Sequence, residues 1–194
     1  IDDDVLFLTG TDEHGQKIAL QADSVGQSPL EYSNQISAKF RETWDKLGIS
    51  YDKFVRTTDP DHQYLVGQVL QNLYDNNWLY EAQYSGWYCV NCEEYKEVDQ
   101  IETNISETNT KPQCEIHLKE LEFLKEMVYY FRLSNFQDQL RELISTDTLL
   151  INPKERKNEV LAFLRDQTLK DIPVTRSKVS WGIPVPFDEN QTVY

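Results

Sequence analysis

A chain of 194 residues, 39% of them hydrophobic and 12% aromatic, has room for one large domain, or one domain carrying an insertion, around a real core. Nineteen basic against 33 acidic side chains, a formal net charge of −14, exclude a broad phosphate-binding face, so nucleic acid would have to be held by a local patch or by residues outside this stretch. No apolar run approaches the roughly 20 residues that span a bilayer, no signal peptide is visible, and three cysteines spaced like metal ligands fit a reducing compartment.

Residue 1 is Ile, close to a core-like run, and Gln191–Tyr194 reads as the opening of another strand; the chain is expected to be an internal piece of a longer protein. Val5–Leu8 predicts a buried strand, which breaks sharply into Thr9-Gly-Thr-Asp-Glu-His-Gly15 before an amphipathic helix over Gln16–Val25. In an open α/β sheet ligands dock beyond the carboxyl ends of the strands. Asp12 and His14 are therefore candidate substrate-binding groups; the plainer alternative is a solvated turn in which Asp12 caps the helix. His14 can order the turn or touch a ligand directly.

Ser28-Pro29-Leu30-Glu31 has the pattern of a capping box and opens a helix carrying Ile36, Phe40, Trp44 and Leu47, stopped by Gly48. A strand is expected over Tyr51–Arg56. Asp59-Pro60 opens a helix with Leu65, Val69, Leu70 and Leu73, and His62 near its start reads as a surface residue. Trp78–Cys89 is aromatic, and Ser85-Gly86 predicts a hairpin whose core is Trp78, Tyr80, Tyr84, Trp87 and Tyr88, in preference to a base-stacking platform.

Cys89-Val-Asn-Cys92 and Cys114-Glu-Ile-His117 use all three cysteines and one of three histidines. A two-residue gap lets both side chains of a knuckle face one ion, and two knuckles complete a tetrahedral Cys3His site. A redox C-x-x-C would not explain the second pair. Such a closed site serves folding, so structural zinc is expected. The polar stretch 99–113 reads as a loop of that module.

Leu118–Phe131 has mixed apolar character and Ser134–Ser145 reads as helical. Asn152-Pro153-Lys154-Glu155 repeats the cap-plus-proline signal before a helix to about Gln167. Lys154, Arg156, Lys157 and Arg165 read as its solvated face. Asp171–Arg176 reads as a strand, and Trp181-Gly-Ile-Pro-Val-Pro186 as a rigid loop that Trp181 packs onto the sheet.

The organisation is α/β: a partial Rossmann-type core over 1–78, a zinc-knuckle insertion over 79–122, and helices with a return to the core over 123–194. Phe7-Leu-Thr-Gly-Thr-Asp-Glu-His-Gly-Gln-Lys17, Gly86-Trp-Tyr-Cys-Val-Asn-Cys-Glu-Glu94 and Trp181–Pro186, with Asn158–Leu161 and Asp171–Ser177 in the same order, resemble the methionyl-tRNA synthetase family of class I enzymes.

The resemblance implies a class I Rossmann catalytic domain interrupted by a zinc-bearing connective module. It implies activation of methionine by ATP, with Mg2+, to methionyl-adenylate, and transfer to tRNA(Met) held mainly by parts outside this chain. It also implies that Asp12 anchors the methionine ammonium group, that Arg176 lies by the methionine and adenylate site, and that Cys89, Cys92, Cys114 and His117 form the family's single Cys3His knuckle. A guanidinium at Arg176 suits a carboxylate or phosphate; the alternative is an internal ion pair. The family's HIGH-type and KMSKS-type motifs are not in this stretch, so the chain by itself is expected to be catalytically inert. A cytoplasmic address is expected, and an organellar one is equally compatible. Three other readings stand beside this one: another class I synthetase for an apolar amino acid, a non-catalytic zinc-stabilised binding module, and a nucleotide-binding oxidoreductase, which lacks its G-x-G-x-x-G.

Overall fold

The structure, a computed structural model, describes residues 4–96, 101–102 and 112–194. The stretch 99–113, expected to be a loop, lies outside the described residues except at 101–102 and 112–113.

The first part is α/β. Strand β1 (Leu8–Thr11) leads through the turn Asp12–Gly15 into α1 (Gln16–Ser24), then α2 (Pro29–Lys46), β2 (Lys53–Arg56) and α3 (Pro60–Asp75). The capping box at α2 forms as expected: Ser28 accepts from the Glu31 backbone, and the Glu31 carboxylate accepts from the Ser28 backbone. Strands β1 and β2 are parallel, in register from Leu8↔Lys53 to Thr11↔Arg56. Gly10 permits this approach, since a Cβ there would lie 1.8 Å from the Val55 carbonyl oxygen. The expected strand Val5–Leu8 is displaced: pairing begins at Leu8, and Val5 is 79% exposed. A run of apolar residues announces burial only where something covers it, and among the described residues nothing covers this one.

The second part is antiparallel. Strands β3 (Leu79–Cys89), β4 (Glu94–Lys96), β7 (Glu122–Phe131) and β8 (Ile172–Pro173) form a sheet in the order β4-β3-β7-β8, beside a two-stranded pair β5 (Ile101–Glu102) and β6 (Gln113–Cys114). The expected hairpin at Ser85-Gly86 does not occur. Residues 79–89 are one strand, paired with β7 from Leu79↔Phe131 to Tyr88↔Glu122. Gly86 is not a turn residue but a gap: a Cβ there would lie 3.2 Å from the rings of Tyr84 and Tyr95. The aromatic residues do pack together, with Tyr80 stacked on Tyr130 and Trp87 edge-on to Phe123.

Helices α4 (Gln137–Ser145) and α5 (Lys154–Asp166) follow. Asn152 does not cap α5; its N-cap position is Pro153, without a side-chain bond. Arg156 and Arg165 pair with Glu159 and Asp166 at the surface and Lys154 is exposed, as suits a solvated face, but Lys157 is only 16% exposed and reaches back to Asp147. Of the strand expected over Asp171–Arg176 only Ile172–Pro173 forms, and the Asp171 carboxylate just before it accepts from Tyr80 and Ser134. Strands β9 (Ile183–Val185) and β10 (Asp188–Val193) close the described chain, and α3 packs on β9.

Candidate active site and metal centre

The turn after β1 is organised around Glu13, a residue the sequence did not single out. Its carboxylate is 3% exposed and takes a two-pronged bond from Arg56, Nε to Oε1 and Nη2 to Oε2, each 2.8 Å. Thr11 Oγ1 donates to it at 2.5 Å, and Thr58 Oγ1 donates as well. The parallel register places Arg56 directly across from Thr11, two residues before Glu13. Burial opposes ionisation, but the Arg56, Thr11 and Thr58 hydrogen bonds outweigh it and hold the carboxyl below its usual range.

The Glu13 main chain is pinned too. Its N–H donates to Thr57 Oγ1 at 3.0 Å, and its carbonyl accepts from Trp181 Nε1 at 2.5 Å. The Gly15 N–H donates to the Trp181 carbonyl at 3.0 Å. Gly15 has φ 109°, open to glycine but costly for other residues, and a Cβ there would meet Glu93 Oε1 at 2.4 Å. Trp181 thus anchors the turn itself, as well as packing against the His14 ring at 5.1 Å between centroids.

Held in this way, Asp12 and His14 face a pocket of about 120 Å3, with Thr57, His62, Val66, Ile183, Val193 and Tyr194 as its other walls. Asp12 is exposed and His14 is buried. Asp12 does not cap α1, whose N-cap position is Gly15. Burial pushes the His14 imidazole below its usual range, against the pull of Asp12 and Glu13 and helped by His62. His62, expected on the surface, is half-buried and lines the same pocket. The first turn of α3 faces β9, and nothing in local sequence marks which side that turn presents.

Arg176 does not line this pocket. It bridges Thr192, and its guanidinium lies over the rings of Tyr88 and Tyr95 at 4.6 and 4.8 Å. Its Nε is 3.0 Å from Glu126 Oε1, and its Nε and Nη2 find no aligned hydrogen-bond acceptor among the described residues. Glu126 also accepts from Tyr95 at 2.5 Å and from the Ser177 N–H at 3.0 Å. The link from Arg176 to the pocket runs through Tyr88, whose hydroxyl shares a 2.9 Å hydrogen bond with that of Tyr194.

The four expected metal ligands come together. Cys89, Cys92, Cys114 and His117 each place a ligand atom within 4.8 Å of the others. The two knuckles have the same backbone form: Glu93 and Leu118, each one residue past its pair, adopt φ 57° and 52° and return an N–H to Cys89 O and Cys114 O, both at 2.8 Å. A tetrahedral zinc site with arms of ~2.3 Å has S–S edges of about 3.8 Å. Cys92 and Cys114 sulfurs are 3.7 Å apart, and His117 Nδ1 lies 3.8, 3.2 and 3.8 Å from the sulfurs of Cys89, Cys92 and Cys114. All three cysteines are free, and these separations far exceed the roughly 2.0 Å of a disulfide. The donor set and its size fit zinc.

The two centres touch. Glu93 Oε1 accepts from the Lys17 N–H in the first turn of α1 at 3.3 Å, so a knuckle residue serves the helix that follows the pocket turn.

The sequence model of the class I tRNA synthetases (M) matches residues 1–194. A methionine–tRNA ligase of Nostoc sp. is 43% identical over 192 residues, covering 98% of this chain and 35% of that protein. The chloroplastic/mitochondrial methionine–tRNA ligase of Arabidopsis thaliana is 42% identical over 190 residues, covering 98% of this chain and 30% of that protein. Among solved structures, Mycobacterium tuberculosis methionyl-tRNA synthetase bound by methionyl-adenylate superposes with a TM-score of 0.83 at 31% identity, over 98% of this chain and 37% of that one. The chain therefore spans about a third of the length of these curated relatives.

Proposed function

The chain belongs to the class I tRNA synthetase family (M), and on that premise we propose that it is part of a methionine–tRNA ligase. The reaction is activation of methionine by ATP, with Mg2+, to methionyl-adenylate and pyrophosphate, followed by methionyl transfer to tRNA(Met). The observation that carries this reading is an exposed carboxylate, Asp12, at an otherwise largely apolar pocket walled by Val66, Ile183 and Val193. Such a site suits a zwitterion with an apolar side chain: the carboxylate pairs with the ammonium group and the walls take the thioether. The adenylate named for the tuberculosis relative is the expected intermediate.

In this reading Asp12 anchors the ammonium group. Neutral His14, with Trp181 behind it, shapes the pocket and contacts the ligand. Arg176 acts at the adenylate side by way of Tyr88 and Tyr194. Residues 79–122 form the connective insertion, with Cys89, Cys92, Cys114 and His117 holding a structural zinc ion that closes the knuckles on each other and supplies no open coordination position. Contacts to tRNA fall mainly on parts of the protein outside this chain, in keeping with its charge of −14. Among the described residues no helix is long and apolar enough to cross a membrane. We place the enzyme in the cytoplasm, with an organelle as the alternative.

The test is amino-acid-dependent ATP–pyrophosphate exchange on the full-length protein, with each standard amino acid and with Asp12→Ala beside wild type. Exchange with methionine alone, lost in the variant, is expected. Exchange with another apolar amino acid would keep the family and overturn the substrate; no exchange with any would shift the weight to a zinc-stabilised binding module.

A further inference from the structure

Glu126 lies on β7 with its side chain 0% exposed, and Arg176 beside it is 13% exposed. A buried carboxylate needs hydrogen-bond donors, and this one has them without the arginine. The Tyr95 hydroxyl donates to Oε1 at 2.5 Å, and the Ser177 N–H and hydroxyl donate to Oε2 at 3.0 and 3.2 Å. Arg176 adds a single prong, its Nε 3.0 Å from Oε1. The same molecule shows a closed structural pair for comparison: Arg56 meets Glu13 with Nε and Nη2 on separate oxygens, both at 2.8 Å. Two-pronged closure is the strong arrangement of a guanidinium and a carboxylate. At Arg176 it is not made, since Ser177 already holds Oε2, and Nη2 stays buried without an acceptor among the described residues. A buried charged donor left unmade is costly, and a donor held open in this way is shaped for an oxyanion. The hold on the arginine comes from one side. Tyr95 on β4, Tyr88 on β3 and Glu126 on β7 belong to the same sheet, in the order β4-β3-β7, and the guanidinium lies over the two rings at 4.8 and 4.6 Å. Ser177 ties the main chain next to Arg176 to the same carboxylate.

Resting on the reading of Arg176 given above, we infer that Glu126 is the positioning residue of that arginine: with Tyr88 and Tyr95 it fixes the guanidinium by one nitrogen and two ring faces, so that the remaining donors meet an oxyanion of the substrate, the methionine carboxylate or the adenylate phosphate. Glu126 touches no substrate and acts through Arg176, so the antiparallel sheet sets the aim of a group that serves the α/β part.

The experiment is ATP–pyrophosphate exchange on the full-length protein at varied methionine and varied ATP, for wild type, Arg176→Ala, Glu126→Gln and the double variant. Arg176→Ala is read first: wild-type kcat/KM there would overturn the reading of Arg176 and this inference with it. Glu126→Gln keeps the size of the side chain and removes its charge. It is expected to lower kcat/KM for methionine about tenfold or more, within the ~100-fold that a misplacement of ~1 Å can cost, with KM for ATP unmoved. A higher methionine KM identifies the oxyanion as the carboxylate, and a lower kcat alone identifies it as the phosphate. Glu126→Asp, which keeps the charge, recovers part of the loss. In the Arg176→Ala background Glu126→Gln has no further effect, because nothing is left to aim. Tyr95→Phe keeps the ring beneath the guanidinium and removes one anchor of Glu126, with an expected loss of about fivefold, the worth of one hydrogen bond; it decides the matter if Glu126→Gln fails to fold. Wild-type kcat/KM in folded Glu126→Gln, or in Tyr95→Phe where that variant decides, would overturn the inference while leaving the reading of Arg176 intact. So would an equal loss from Glu126→Gln with and without Arg176, since the carboxylate would then serve the fold alone.

Discussion

The turn at Thr9–Gly15 and the knuckles at Cys89–His117 both gather ionisable groups within a few residues, yet they are held in opposite ways. The turn brings its own counter-charge: Glu13 is closed by Arg56, Thr11 and Thr58, and Trp181 locks the main chain from the far end of the sequence. The knuckles bring three cysteines and a histidine whose ligand atoms lie within 4.8 Å of one another, a set that could hold a metal ion. A site made by the chain's own polar groups stands ready before its ligand arrives, whereas a site made by metal ligands is folded by the metal. The two meet at Glu93, whose carboxylate reaches α1, and at Tyr88, whose hydroxyl reaches Tyr194.

The largest effect is expected from Cys114→Ser. Bound zinc should fall from one equivalent per chain to none, and hydrogen exchange should quicken in residues 87–96 and 113–121 while 9–13 keep their protection. Equal loosening of the turn would show that it is not self-supporting, and retention of the metal would show that the ligand set is wrong. Next comes Glu13→Ala, which leaves the Arg56 guanidinium, 20% exposed, without its partner. Breaking a buried pair of this kind costs about 3 kcal/mol, measurable as a lower urea midpoint with bound zinc unchanged. Zinc lost along with stability would break the contrast between the two sites.

Acid should act on the carboxylates in a defined window. Burial opposes ionisation of both Glu13 and Glu126, but their hydrogen bonds and the arginines beside them lower both in the folded state. The unfolded chain then binds protons first, so stability is complete above the ordinary value of 4.5 and is lost as pH falls below it through the depressed folded values. Urea midpoints should be flat above that point and drop beneath it, and Glu13→Gln should shrink the drop. An unchanged profile in the variant would remove Glu13 from this account. The smallest effect is expected from Glu93→Ala, which takes an anion from the first turn of α1 and costs about 0.5 kcal/mol. Faster exchange at residues 15–18 with full zinc occupancy would confirm the link between the sites, and none would sever it.

Much of the first part was legible. The capping box at Ser28 and the glycine at position 48 marked the bounds of α2 closely, and Asp59-Pro60 the start of α3, because such signals act through residues a few positions apart. Within each C-x-x-C/H pair the clustering cysteines and histidine were legible for the same reason. The errors fall where an element's character depends on a distant partner. Gly86 reads locally as a turn, but β7 takes up the whole of β3 and the glycine only makes room for two tyrosines. Asn152 has the chemistry of a cap, yet the cap position falls on Pro153. His62 reads as surface because spacing along a helix does not say which face a later strand will cover.

By itself the sequence determined the α/β character, the order of helices, the pocket-facing turn with Asp12 and His14, and the set of three cysteines and a histidine that cluster. Each of these is written in contacts between residues a few positions apart or in a run of motifs. Only the tertiary structure decided that Glu13 is the buried keystone of the turn, that Arg176 lies beneath Tyr88 and Tyr95, that His62 turns inward and that Lys96 is buried. Those placements arise when strands and loops far apart in the chain, such as β1 with β2 or the Trp181 loop with the turn, are brought into register. The burial of charge that follows belongs to the assembled fold and not to any one segment of it.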